Sequence, residues 1–289
     1  MKVSAFPMKL HVLLAREAGR ALVIRQGPSA QTCVFSWNRE TNQFQIAHWF
    51  KGRIYERRSD MSPDGRYWIY FAMNGKWQSE TSGAWTTVAP CPQLKAISLY
   101  AKGNCWNGGG LFLNNRSFWL NDGLGHVPLF ESDRVHRNSH YHPPNHYGRE
   151  CPHVYYNRLQ RDGWRLVEQT PLQGTSARVV FDRSASENWI LHKICFEEVS
   201  HSNNRGNFYD THQLIHDGDV VEKPDWEWAD CIDGRILYCA HGCLFQQRFL
   251  PDNSPGKPEL LHDFNSYSFK RRMAGARHSQ QSSDDTIAM

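Results

Sequence analysis

Residues 62–77 read SPDGRYWIYFAMNGKW: a turn closed by Gly65, an apolar run, a second turn at Gly75 and the start of another run. Far downstream, residues 231–246 read CIDGRILYCAHGCLFQ and repeat that grammar. Asp-Gly and Asn-Gly turns between runs rich in aromatic and β-branched residues signal hairpins, because Gly accepts positive φ and Asp hydrogen-bonds the local backbone. Two such stretches far apart raise the possibility of one motif copied along the chain.

A ruler laid on the residue ending the first turn tests this. Gly19, Gly65, Gly110, Asn188 and Gly234 occupy matching places, at intervals of 46, 45, 78 and 46 residues. Periods of about 20 to 50 residues mark repeat architectures, and the long interval reads as a repeat carrying roughly 30 extra residues. Within the units, YNRLQRDGWRLVE at 156–168 matches YDTHQLIHDGDVVE at 209–222, and KWQSETSGAWTTV at 76–88 is a weaker copy. Each reads as strand, turn and strand, so each unit is expected to hold four antiparallel strands, a to d. Unit 1 would use LHVLLA, ALVIRQ, TCVFSW and QFQIAHW; unit 5 would use WEWADCI, RILYCA, CLFQQRF and PELLHDF. No sustained 3.6-residue apolar period is present, which predicts almost no helix.

Four-stranded units of this period, arranged radially, predict an all-β fold: a five-bladed β-propeller of antiparallel blades. The blades span about 9–51, 52–91, 92–170, 171–224 and 225–266 within a single domain ending at 267, followed by a polar tail at 268–289. The stretch DMSPDGRYWIYFA resembles the blade signature of WD40-like and TolB-type propellers, in which an Asp-Gly turn joins the innermost strand to the next. The resemblance implies a fold and carries no activity with it.

Composition narrows the function classes. Among 289 residues, 13% are aromatic, eleven of them Trp, and no run approaches the roughly 18 apolar residues of a membrane-spanning helix. A net charge of +4 with a single basic cluster, FKRR at 269–272, argues against nucleic acid. With no export signal apparent, eight cysteines are expected to be reduced thiols and the chain cytoplasmic.

The extra residues of unit 3, 122–152, fall between its expected b strand GLFLNNRSFWL and c strand HVYYNRL. Long loops inside compact domains are usually functional or disordered. Unit 4 has its own long b–c connection, EEVSHSNNRGN, expected on the same face. The insert is rich in residues suited to interface contacts: Arg134, His136, Arg137, His140, Tyr141, His142, His146, Tyr147 and Arg149. Its imidazoles at His136, His140, His142 and His146, with His126, His153, Cys151 and Glu150 nearby, are weaker candidates for Zn, since Pro143 and Pro144 forbid the helical spacing of diagnostic sites. Cys239, His241 and Cys243 in CAHGC read better as a hairpin turn than as ligands.

Chemistry has its own candidates. A glycosidase needs two facing carboxyl groups, and the expected inner strands offer Asp60, Asp182 and Asp230. Trp106, Trp119, Trp164, Trp226 and Trp228, near expected turns or strand ends, would serve a carbohydrate-binding propeller if exposed. The sequence nonetheless favours a non-catalytic scaffold without cofactor that engages a protein partner through the b–c loops of blades 3 and 4. A narrower form is a bacterial immunity or adaptor protein that caps a toxin or effector.

Overall fold

The computed structural model describes residues 8–27, 31–123, 125–148, 150–173, 176–198 and 206–267. The tail at 268–289 and most of the unit 4 connection, 199–205, lie outside the described residues. Among the described residues the fold is all-β apart from one helix, and the strands form five sheets, antiparallel but for one short pairing.

The first sheet is a meander of β1 (Lys9–Leu14), β2 (Arg20–Gln26), β3 (Gln31–Asn38) and β4 (Gln43–Lys51), matching the four strands expected of unit 1. The second takes β5 (Arg53–Met61), β6 (Tyr67–Met73), β7 (Ala84–Pro90) and β8 (Ser98–Ala101). Its Asp-Gly turn behaves as the sequence demands. Gly65 has φ 68°, and the Asp64 carboxylate accepts hydrogen bonds from the Ser62 hydroxyl and the Arg66 amide. The hairpin expected at 76–88 is absent, because residues 74–83 form successive turns and only then does β7 begin.

Unit 3 departs most from expectation. GLFLNNRSFWL is not one strand but a tight hairpin, β9 (Gly110–Phe112) and β10 (Ser117–Leu120). KAISLYA, expected as its inner strand, supplies β8, the fourth strand of the second sheet. The insert is structured: β11 (Val127–Phe130) adds to β8 as an edge strand, and β12 (His136–Arg137) pairs parallel with β10.

HVYYNRL, expected as strand c, lies in the helix α1 (Glu150–Arg161). The reason is visible in Cys151, Val154, Tyr155 and Leu159, whose spacing of three, one and four residues puts all four on one buried face. The helix ends in a Schellman motif. The Trp164 amide bonds the Leu159 carbonyl at 2.9 Å and the Gly163 amide the Gln160 carbonyl at 3.1 Å, with Gly163 at φ 96°.

The fourth sheet runs β13 (Arg165–Gln173), β14 (Ser176–Ser186), β15 (Trp189–Glu198), β16 (Phe208–His216) and β17 (Asp219–Lys223). WRLVE, expected to end unit 3, therefore opens this sheet as β13. The fifth sheet, β18 (Trp228–Ile232), β19 (Arg235–Ala240), β20 (Cys243–Arg248) and β21 (Glu259–Asp263), matches expectation strand for strand.

Strands buried on both faces explain the continuous apolar runs. In β2, Ala21 and Val23 pack toward the fifth sheet while Leu22 and Ile24 pack toward the second. In β19, Leu237 and Cys239 face the first sheet and Ile236, Tyr238 and Ala240 face the fourth. Period-2 alternation here sorts residues between two neighbours instead of between core and water.

The resulting cores link the sheets in series. One joins sheets five and one, the next sheets one and two, the next two and three. Leu111 and Trp119 then meet Val154 of α1, and Tyr155, Tyr156 and Leu159 of the same helix join the core shared by sheets four and five. The helix thus bridges sheet three and the core of sheets four and five. All eight cysteines are free thiols.

Candidate functional site

Two concavities lie where the sequence concentrates its candidates. One is built by the insert, the other by β1, β5, β14, β15 and β18 together with α1.

The insert cleft encloses about 330 Å³ and is lined by Trp119, Asp122, Arg137, Tyr141, His142 and His146, among others. Its wall is braced by Asp122. Arg137 donates to one carboxylate oxygen at 2.7 Å, and the buried His126 ring meets the other at 3.0 Å while touching the Thr86 hydroxyl at 3.1 Å. The His153 ring lies 4.8 Å from that of His146 and edge-on to Trp119 at 5.3 Å; burial pushes its pKa down, with His146 adding to the shift. Both features favour a neutral ring.

Arg134, His136, His140, His142 and His146 are exposed, with Arg137 and Tyr141 half-buried. Tyr147 is not part of that surface. It is buried, and its hydroxyl donates to Gln160 of α1 at 2.6 Å. Arg149 lies outside the described residues. Among the described residues no three His, Cys, Asp or Glu side chains gather in a way that could hold a metal ion. At CAHGC, His241 and Gly242 both take positive φ, 52° and 75°, and form the β19–β20 turn, while Cys239 is buried.

What the sequence missed in the insert is apolar. Val127, Leu129 and Phe130 of β11 are 59%, 39% and 47% exposed, on the outer edge of the second sheet. The short run VPLF was legible as text, but its exposure follows only from its pairing with β8.

The second cavity, beside α1, holds about 430 Å³. Asp60 and Asp230 line it and Asp182 does not. Asp60 receives a two-pronged contact from Arg161, at 2.5 and 2.9 Å, and the Phe112 amide at 2.7 Å. Asp182 meets Arg165 at 2.9 Å and the His192 ring at 2.6 Å. Asp230 pairs with Arg183 at 2.9 Å; burial raises its pKa, against the pull of that arginine and of Lys193. Asp60 and Asp230 thus share one cavity, each held by its own arginine, while Asp182 lies outside its lining. Of the five tryptophans weighed for sugar stacking, only Trp106 is exposed.

Around this cavity β5 breaks its ladder. Tyr55 pairs with Phe71 and Asp60 with Ile69, so residues 56–59 bulge opposite Tyr70 alone. The bulge leaves the Glu56 and Ser59 carbonyls without ladder partners, and the buried Arg158 guanidinium donates to both. The other Arg158 nitrogen donates to His11 Nε2 at 3.0 Å, which places the His11 proton on Nδ1. Burial, reinforced by Arg158, keeps His11 neutral. On the far side of Tyr155, Asp210 accepts its hydroxyl at 2.8 Å and pairs with Arg57 at 3.0 Å. Burial would raise the Asp210 carboxyl, but Arg57 and Lys193 overcome it and hold the group ionised.

No protein-family model matches the chain, and no curated protein matches it. Among solved structures it is similar to Kuenenia stuttgartiensis hydrazine synthase, at 12% identity and TM-score 0.31, over 86% of this chain and 78% of that one. It is also similar to a chain from a structural analysis of two prolyl endopeptidases, at 11% identity and TM-score 0.28, over 88% of this chain and 43% of that one. Likenesses at this level carry no argument about function.

Proposed function

We propose that the five sheets are the blades of an irregular five-bladed propeller, in which α1 stands between the third and fourth blades. We further propose that the molecule is a binding scaffold engaging a protein partner through the insert. The propeller reading is supported by the series of shared cores and by strands of successive sheets that lie side by side: β1 beside β5 and β18, β5 beside β9, and β14, the second strand of its sheet, beside β18. The binding reading rests above all on β11. An exposed apolar edge strand is a liability unless something covers it, and Pro128, which lacks an N–H, only partly blunts this one. Basic and imidazole side chains at Arg134, His136 and His140 follow within ten residues. The partner surface that fits is apolar at its centre and acidic at its rim.

The test is affinity capture from the native host by the wild-type chain and by a Val127→Asp/Phe130→Asp variant, followed by measurement of Kd for the retained protein. Truncating or charging an interface anchor costs at least ~2 kcal/mol, about 30-fold in Kd. One stoichiometric protein, held by the wild type and lost by the variant, is expected. Equal retention by both would remove β11 from the site.

A further inference from the structure

The wall of the cavity beside α1 carries six cations: Arg16, Arg39, Arg158, Arg161, Arg183 and Lys193. Four carboxylates share that wall, and four of the arginines account for them. Arg161 takes Asp60 and also Asp162, the latter at 2.8 Å with Arg16 adding at 3.6 Å, Arg183 takes Asp230, and Arg39 takes Asp233 at 2.9 Å. Two cations remain, and they are the most enclosed. Arg158 is 6% exposed and Lys193 only 1%.

The hydrogen-bond partners of these two are neutral. Arg158 donates to backbone carbonyls and His11, as described above. Lys193 donates to the Ala229 carbonyl at 3.0 Å and lies 3.4 Å from the Tyr155 hydroxyl. Its nearest carboxylate is Asp210 at 4.0 Å, which Arg57 already holds at 3.0 Å. Both cations flank one aromatic ring, Arg158 at 5.2 Å and Lys193 at 6.0 Å from the Tyr155 centroid. Ring faces and carbonyl dipoles ease the burial of a cation without cancelling its charge.

A second observation is independent of charge. Trp164 and Arg39 line the same cavity, and the buried Trp164 Nε1 and Arg39 Nε each lack an acceptor among the described residues. Buried donors are normally satisfied. Excess positive charge and orphaned donors share one complement, a group that is negative and rich in acceptors.

We propose that the cavity beside α1 binds a small oxyanion, a phosphate or carboxylate group, on the wall carrying Arg158, Lys193 and Trp164. This site is separate from the insert and does not depend on its partner. The test uses the full chain with inorganic phosphate as one probe and citrate as the other, each against sodium chloride at matched ionic strength, read by thermal unfolding and calorimetric titration. A ligand confined to the native state raises Tm along a saturating binding curve. Saturation by phosphate alone would identify a tetrahedral anion, and by citrate alone a carboxylate. Lys193→Met is expected to weaken binding at least tenfold, and Trp164→Phe, which deletes the orphaned N–H, several-fold. Should Lys193→Met fail to fold, Trp164→Phe and Arg158→Gln carry the comparison. Absence of a saturable response to both probes beyond the chloride control overturns the proposal, as does wild-type affinity in the folded variants.

Discussion

Glu227 sits just before β18, and its carboxylate accepts the Leu10 amide of β1 at 3.2 Å, joining the fifth sheet to the first. Burial pushes its pKa up to about 7, against the lowering effects of the Leu10 amide, Lys9 and the Gly242 amide. The folded chain therefore holds this proton more tightly than the unfolded chain does. Its contribution to stability is complete below pH 4.5 and is lost as pH rises through 7, a change of about 3 kcal/mol. Glu227→Gln keeps an acceptor for Leu10 and removes the charge. Urea denaturation should find the variant more stable than wild type at pH 8, with the gap closing by pH 4; an equal difference at both pH values would assign the effect to packing. None of this was legible in WEWADCI, where Glu227 reads as an ordinary polar position, because its burial is set by tertiary packing and its hydrogen-bond partner lies 217 positions away in sequence.

At the scale of elements, one dipeptide is used in two ways. Asp217 and Gly218 both take positive φ, 49° and 94°, and turn β16 into β17. Asp162 and Gly163 occupy the matching place in YNRLQRDGWRLVE, yet there only Gly163 is left-handed, and it caps a helix. The local text RDGW and HDGD cannot separate these outcomes; the apolar spacing upstream can, and Cys151, Val154, Tyr155 and Leu159 carried that signal. A Cβ added at Gly163 would meet nothing within 4 Å, so Gly163→Ala tests backbone strain alone. It should cost ~1–2 kcal/mol, the penalty of a left-handed residue with a Cβ, measured as a lower urea midpoint with unchanged slope. Units 1 and 5 were readable because each strand pairs with its sequence neighbour. Unit 3 was not, because β8 and β11 serve the second sheet, β13 serves the fourth, and a helix takes the remaining place.

For the whole molecule, the consequence is that α1 belongs to no sheet and yet connects them. Leu111 and Trp119 pack on Val154, while Tyr155 and Tyr156 enter the core of sheets four and five. His11 of the first sheet meets Arg158, and Asp60 of the second meets Arg161. Repeat arrays often unfold piecewise, since each unit touches only its neighbours. In the proposed propeller, closure of the ring through one shared helix removes the free ends at which piecewise unfolding starts. Arg161→Ala leaves Asp60 buried without its cation, and breaking such a pair costs ~3–5 kcal/mol. If the ring couples the sheets, this loss falls on all of them, and tryptophan fluorescence and far-UV circular dichroism should shift together in one transition. Two separated transitions in Arg161→Ala, with the wild type single, would show instead that the helix holds only sheets two and three and that the remainder stands without it.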